Sequence, residues 1–250
     1  MIEPTKLPIM EHLRELRSRL IKSVAALLVG TGIAAGLTFP ILEFLKKPAD
    51  GVTLVYIDPT ELITTYFKVA MLGGLIIAMP VILYQMAMFV SPGLTGKERR
   101  LLLAALPAIF ISFIAGLVFT WFVLLPPSLG FLLNFGSDIA EPQIRISRYI
   151  NLIIMLSFWV GISFQTPLVM LVLARLGIVS PRTFARRRKL AVLGAFVAGA
   201  VFTPTFDPVN QTLLASPIIV LYEVGIWLAR LASWRRRKAA EESRMLKTGR

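Results

Sequence analysis

The placement of charge constrains this chain more than any other feature, because Asp, Glu, Lys and Arg gather into short clusters that separate long apolar runs. A charged residue at the centre of a span costs about 2.5 to 3.5 kcal/mol on the insertion scale, so charge-free runs mark candidate membrane crossings. Six runs qualify: Ile21 to Ile41 with Lys22 at its edge, Val69 to Phe89, Leu101 to Leu125, Ile150 to Leu173, Leu190 to Thr203, and Val209 to Leu228. Composition agrees, with 56% hydrophobic and 16% charged residues and a mean hydropathy of +0.74, above the roughly 45 to 50% apolar content of soluble domains.

The first four runs reach the roughly 20 residues that a bilayer core demands. The fifth holds 14 residues, about 21 Å of helix against a core of about 30 Å. The sixth is interrupted by Glu223, and its unbroken apolar stretch ends at Tyr222. Two short neighbours predict local membrane thinning or a water-filled hollow; a re-entrant hairpin is the alternative. The expected fold is an all-α polytopic membrane protein, a single six-helix domain over residues 1–232 followed by a basic cytoplasmic tail over 233–250.

Orientation follows from Lys and Arg in the short connections. With the N-terminus inside, 22 of the 27 basic residues are cytoplasmic, and only Lys46, Lys47, Lys68, Arg145 and Arg148 lie outside. Both termini are then cytoplasmic. The first apolar run is too long for a cleavable leader and lacks a small-residue cleavage site, so it is read as a retained span.

The same inventory excludes several chemistries. The chain has no Cys and one histidine, His12, which removes disulfides, thiolate nucleophiles and His-rich metal sites. The net charge of +13 suits either nucleic acid or a membrane surface; because the bases flank apolar runs, the membrane is favoured and no nucleic-acid partner is expected. Nucleotide loops, zinc signatures and nucleophile elbows are missing from the sequence, so neither cofactor nor enzymatic activity is expected. No internal repeat supports an inverted-repeat transporter.

Between the runs, Asp58-Pro59-Thr60-Glu61 combines an N-cap Asp, a Pro at the first helical position and a Glu at the third, predicting a short interfacial helix leading into the second span. Pro126-Pro127 is expected to break the third span, with Ser128 to Gly136 forming a surface cap. The polar tail after Trp234 is expected to be frayed or disordered.

Ile9, Leu13, Leu16 and Leu20 recur at helical spacing, forming an amphipathic segment that feeds the first span. Glu15 lies off this stripe among Arg14, Arg17 and Arg19, where a solvated face with weak ion pairs is the plain reading. Glu98 lies similarly among Lys97, Arg99 and Arg100, where a carboxylate favours a helix N-terminus. Either acid is also a candidate docking point for a cationic ligand. Within or beside the spans, Gln165, Thr203, Asp207, Gln211 and Glu223 are the notable polar groups; interhelical hydrogen bonds are the structural alternative for them, and Asp207 reads as an N-cap before Pro208.

His12-Leu13-Arg14-Glu15-Leu16-Arg17-Ser18-Arg19 resembles the opening motif of the TatC family. In family order follow Pro48, Ala78-Met79-Pro80-Val81-Ile82-Leu83-Tyr84-Gln85, Phe89, Pro92-Gly93-Leu94, Glu98-Arg99-Arg100, Ser163-Phe164-Gln165-Thr166-Pro167, Gly177-Ile178, Gly194-Ala195-Phe196, Thr203-Pro204, Asp207 and Gln211 to Pro217. The resemblance implies a concave, glove-like receptor in the bacterial or archaeal cytoplasmic membrane. It would bind the paired arginines of export signal peptides and scaffold the translocase that exports folded proteins using the proton motive force.

By matching position, Glu15 and Glu98 would be the arginine-binding carboxylates, with Phe89, Leu94, Arg17 and Arg19 in the same surface. Gln165, Thr203 and Gln211 would dock small single-span subunits of TatA or TatB type, and Pro48 and Asp207 would belong to the outer loops. Self-association and lipid contact are also implied. Many family members carry Glu where this chain has Gln165; glutamine can hydrogen-bond there but carries no charge. The competing readings are a secondary transporter using Glu223 and Gln165, and an intramembrane enzyme.

Overall fold

The computed structural model describes residues 9–49, 53–135, 143–202 and 207–248. Its elements are α1 (Ile9–Gly36), α2 (Thr38–Lys46), β1 (Leu54–Val55), α3 (Pro59–Val90), α4 (Gly96–Phe119), α5 (Leu125–Asn134), β2 (Ile144–Arg145), α6 (Ile146–Ser163), α7 (Thr166–Leu176), α8 (Pro181–Arg186), α9 (Arg188–Phe202) and α10 (Pro208–Thr248). Thr203 and Pro204 lie outside the described residues. Among those described, five segments are long and apolar enough to cross a membrane: Met10–Gly36, Pro59–Gly93, Gly96–Leu132, Ile146–Leu176 and Pro208–Trp234. The fifth expected crossing falls on α9, whose 15 residues make only about 22 Å of helix.

The chain gathers into two compact units, one of residues 1–111 and 119–158, the other of 112–118 and 159–250. In the first, α1 lies along α3. The two backbones meet where glycine removes the side chain: a Cβ built on Gly30 would stand 2.6 Å from the carbonyl oxygen of Gly74, and one on Gly74 would collide with the backbone of Thr31. Small residues at such crossings let helices approach closely in a membrane. Tyr66 adds a hydrogen bond from its hydroxyl to the Ala35 carbonyl at 2.6 Å.

At the other end of this unit, two-residue strands β1 and β2 pair in parallel, Leu54 opposite Ile144 and Val55 opposite Arg145. Arg145 reaches Glu61 at 3.5 Å, and the buried Tyr149 hydroxyl donates to the Leu45 carbonyl at 2.7 Å. Phe44 and Trp121 stack with ring centres 4.2 Å apart. The Asp58 cap forms as its sequence predicts, accepting from the Thr60 N–H and hydroxyl, each at 2.8 Å. These two bonds hold the Asp58 carboxyl below its ordinary range. No separate interfacial helix follows, because α3 runs unbroken from Pro59 to Val90.

In the second unit, the fourth crossing bends at Phe164–Gln165, between α6 and α7. Pro167 has no N–H to bond back to Ser163, and the Leu168 N–H turns to the Gln165 carbonyl at 3.1 Å, so the Phe164 carbonyl accepts instead from the Ser112 hydroxyl at 2.7 Å. Gly116 and Gly161 approach backbone to side-chain distance here; a Cβ on Gly116 would lie 2.9 Å from the Gly161 Cα. Further along, α7 ends on Gly177, whose φ of 79° is the left-handed cap conformation that glycine adopts without strain. α10 packs against both α7 and α9.

Three further expectations are corrected by these elements. Pro126-Pro127 does not break the third helix: the backbone widens into a π turn over Thr120–Leu124, and the prolines enter α5 at its first turn. The widened turn lies where the missing proline N–H groups would have drawn acceptors. The last helix is not short, because α10 passes through Glu223 and extends for 41 residues; the acid is met by a cation rather than ending the helix. The tail beyond Trp234 continues α10 to Thr248 instead of fraying, in keeping with the strong helix formers Ala, Glu, Arg, Lys, Met and Leu that compose it.

Candidate functional site

The opening motif lies on the first four turns of α1, against the last turns of α3. Two contacts fix that alignment. His12 stacks on Phe89 with ring centres 4.5 Å apart and planes 22° from parallel, and Arg19 donates from Nη1 to the Oε1 of buried Gln85 at 3.1 Å. Because His12 and Arg19 are two turns apart on one helix, and Gln85 and Phe89 one turn apart on the other, the pair of contacts sets the register of the whole surface.

Glu15 projects from the same face of α1. Its Oε1 accepts from Arg19 Nη2 at 3.2 Å, and roughly one fifth of each side chain remains exposed. One guanidinium therefore joins a carboxylate on its own helix to a carboxamide on the neighbouring one. Arg17 is exposed.

From Phe89 the chain leaves α3 through a short 3-10 turn, Ser91–Gly93, and enters α4 at Gly96. Leu94 occupies this connector, half-buried and extended. Glu98 is the third residue of α4, and its Oε2 accepts from both the N–H and the hydroxyl of Thr95 at 2.8 Å. This is the capping-box arrangement, in which the third-residue carboxylate reaches back to satisfy an otherwise orphaned donor. Glu98 is thus a structural cap as well as a half-exposed anion. Glu15, Phe89, Leu94 and Glu98 all belong to the first compact unit.

Pro48 lies in the 3-10 turn Lys47–Ala49 that follows α2. The remaining polar candidates belong to the second unit. Gln165, at the bend, donates from Nε2 to the Gly161 carbonyl at 3.2 Å, while its Oε1 is buried without a hydrogen-bond partner. Gln211 donates to the Phe196 carbonyl at 3.0 Å, at the level where Gly199 lets α9 meet α10 backbone to backbone. Asp207 caps α10, accepting from the Asn210 N–H at 2.6 Å and from Asn210 Nδ2 at 3.0 Å. Glu223 accepts from Arg188 Nη2 at 2.8 Å.

Gln85 is the site residue that sequence reasoning missed as a functional group. It was legible only as part of a motif, because its partner lies 66 residues away. Among the described residues, no group of His, Cys, Asp and Glu is placed to hold a metal ion.

Comparison with known proteins gives a consistent set of likenesses. The pattern of the family described as TatC, Sec-independent protein translocase protein, matches residues 11–217. The chain is 38% identical to the Sec-independent protein translocase protein TatC of Carboxydothermus hydrogenoformans over 231 residues, covering 92% of this chain and 95% of that one. It is 38% identical to the protein of the same description from Aquifex aeolicus, covering 93% and 98%. To the chloroplastic protein of Arabidopsis thaliana it is 39% identical, covering 90% and 67%. A crystal structure of a twin-arginine translocase receptor, TatC, superposes with a TM-score of 0.80 at 38% identity, covering 89% of this chain and 99% of that one.

Proposed function

The chain belongs to the TatC family of Sec-independent protein translocase proteins, and from that premise we propose that it is the receptor for twin-arginine signal peptides and the core scaffold of the translocase. It is a multi-pass membrane protein of the Tat pathway. In this reading it crosses the cytoplasmic membrane six times with both termini in the cytoplasm, the short α9 being accommodated by a locally thinned bilayer.

The observation that carries the reading is the His12–Phe89 stack, which seats the start of α1, with Glu15 on it, against the end of α3, from where the chain runs through Leu94 to Glu98 at the start of α4. Both acids stand among bases in the sequence. A guanidinium offers a planar fork that matches a carboxylate and keeps its charge, whereas an ammonium is a compact, more strongly hydrated point charge. Two acids can therefore favour an Arg-Arg pair over Lys-Lys. The surrounding bases repel any cation that does not engage those acids, which sharpens the choice.

Gln165 and Gln211 are the proposed contacts for small single-span partner subunits. The unpartnered Gln165 Oε1 supports this assignment, since a buried acceptor favours a donor from outside. Being an amide, Gln165 takes up no proton under ordinary conditions, so the proton motive force would be coupled elsewhere in the assembly. The transporter alternative rests on Glu223 and Gln165 as intramembrane polar groups, and of these Glu223 is paired with Arg188.

Photo-crosslinkers placed at positions 15 and 98 of the protein in membranes test the reading directly. A leader peptide bearing Arg-Arg should be trapped at both, and far less when the pair is Lys-Lys. Trapping only at distant positions would overturn it.

A further inference from the structure

Arg19 already supplies, from within the chain, the chemical group that the proposed ligand would bring. Its two terminal nitrogens divide between Glu15 on α1 and Gln85 on α3. An isolated pair four residues apart on a helix is weak and readily exchanged. The second anchor on buried Gln85 changes that, because it holds the guanidinium in place without help from the carboxylate.

We propose that Arg19 is an internal competitor for the Glu15 carboxylate: it occupies the acid in the unliganded protein, and a ligand arginine binds by taking its place. The inference rests on the reading of Glu15 as an arginine-binding residue, and assigns Arg19 a role opposite to that of a direct ligand contact. Exchange of one guanidinium for another conserves the charge-assisted hydrogen bonds at Glu15. Arg19 retains its bond to Gln85 Oε1 when displaced, so it is not left stranded in a half-buried position.

Competition of this kind reduces the affinity of every ligand by the same factor, because that factor depends only on how fully Arg19 occupies the acid. Arg-Arg and Lys-Lys peptides are weakened equally. The ratio between them is set by Glu15 and Glu98, while Arg19 sets the absolute affinity, keeping weak cationic sequences below the threshold of useful binding.

The test is peptide binding to the full-length protein in detergent or nanodiscs, with fluorescent Arg-Arg and Lys-Lys leader peptides. Arg19→Gln should tighten both by about 1.5- to 5-fold, the range spanned by a partly exposed ion pair, and by the same factor for each. Arg19→Lys, which keeps the charge but loses the fork, should tighten both by less. Arg14→Gln removes an equal charge beside Glu15 from an exposed position and should have the smaller effect. The gain from Arg19→Gln should vanish in a Glu15→Gln background.

Unchanged or weaker Arg-Arg binding in Arg19→Gln overturns the inference, as does an equal gain from Arg14→Gln. If Glu15→Gln alone leaves Arg-Arg binding unchanged, the reading of Glu15 falls, and the competitor falls with it. If Glu15→Gln weakens binding but Arg19→Gln brings no gain, the receptor reading stands and only the competitor is lost.

Discussion

Arg188 donates to the carboxylate of Glu223 at 2.8 Å, so the acid embedded in the last apolar run is answered by the first residue of α9. Both side chains are more than a third exposed, which limits the pair to about 0.2 to 1 kcal/mol. Glu223→Gln is therefore expected to lower the apparent unfolding midpoint of the purified protein only slightly and to leave export of a twin-arginine precursor intact. A large export defect with normal protein abundance would instead place Glu223 in the transport step.

Glu98 caps α4 and, in the proposed function, also binds a ligand arginine; one substitution pattern can separate the two. Glu98→Gln preserves the capping box while removing the charge; Glu98→Ala removes both. Each should weaken Arg-Arg peptide binding by about 2 kcal/mol or more, roughly 30-fold in Kd. Only Glu98→Ala should also accelerate hydrogen exchange at Thr95 and the first turn of α4. Titration of a labelled peptide together with exchange measurements distinguishes the two effects.

The His12–Phe89 stack holds the start of α1 on the end of α3. Phe89→Ala should release about 0.5 to 1.5 kcal/mol of aromatic contact beyond its buried area, seen as faster hydrogen exchange over residues 10–19. Phe89→Tyr should restore protection, since it keeps the ring.

Glycine at position 74 is required by the backbone contact with α1. Gly74→Ala should cost about 1 to 3 kcal/mol through overpacking and reduce the yield of folded protein, whereas Gly32→Ala, where an added Cβ meets open space, should be tolerated. Thermal unfolding in detergent compares the two.

At the start of α3, the Asp58 carboxyl is held below its usual range by the Thr60 N–H and hydroxyl. A lowered folded value means that the cap contributes above the unfolded carboxylate value of 3.8 and loses its contribution as pH falls through the lower folded one. Protection factors for the first turn of α3 should therefore decline with acid below that range. Asp58→Asn, a neutral cap, should show a flatter dependence.

Local chemistry was legible in the sequence wherever its cause lay within a few residues. The Asp58 and Asp207 caps follow from an acid just ahead of a proline, and the main crossings follow from the spacing of charge. What escaped was set by partners far along the chain. Gly30 and Gly74 look like two ordinary glycines until the helices carrying them cross, and Glu223 looks unpaired until Arg188 is brought beside it. The π turn at Thr120–Leu124 also escaped, because an apolar stretch carries no mark of where a helix widens. At the site, Glu15 and Glu98 stood out as acids among bases, but the fork of Arg19 onto Gln85 required the third dimension.

Because Gly30 and Gly74 place two backbones in direct contact, α1 and α3 cannot slide past one another without first separating. Helix α3 has 32 residues, a rod about 48 Å long. Any tilt of α1 at the His12 end is therefore shared with this rod, whose far tip carries Asp58 and Glu61 beside the paired strands.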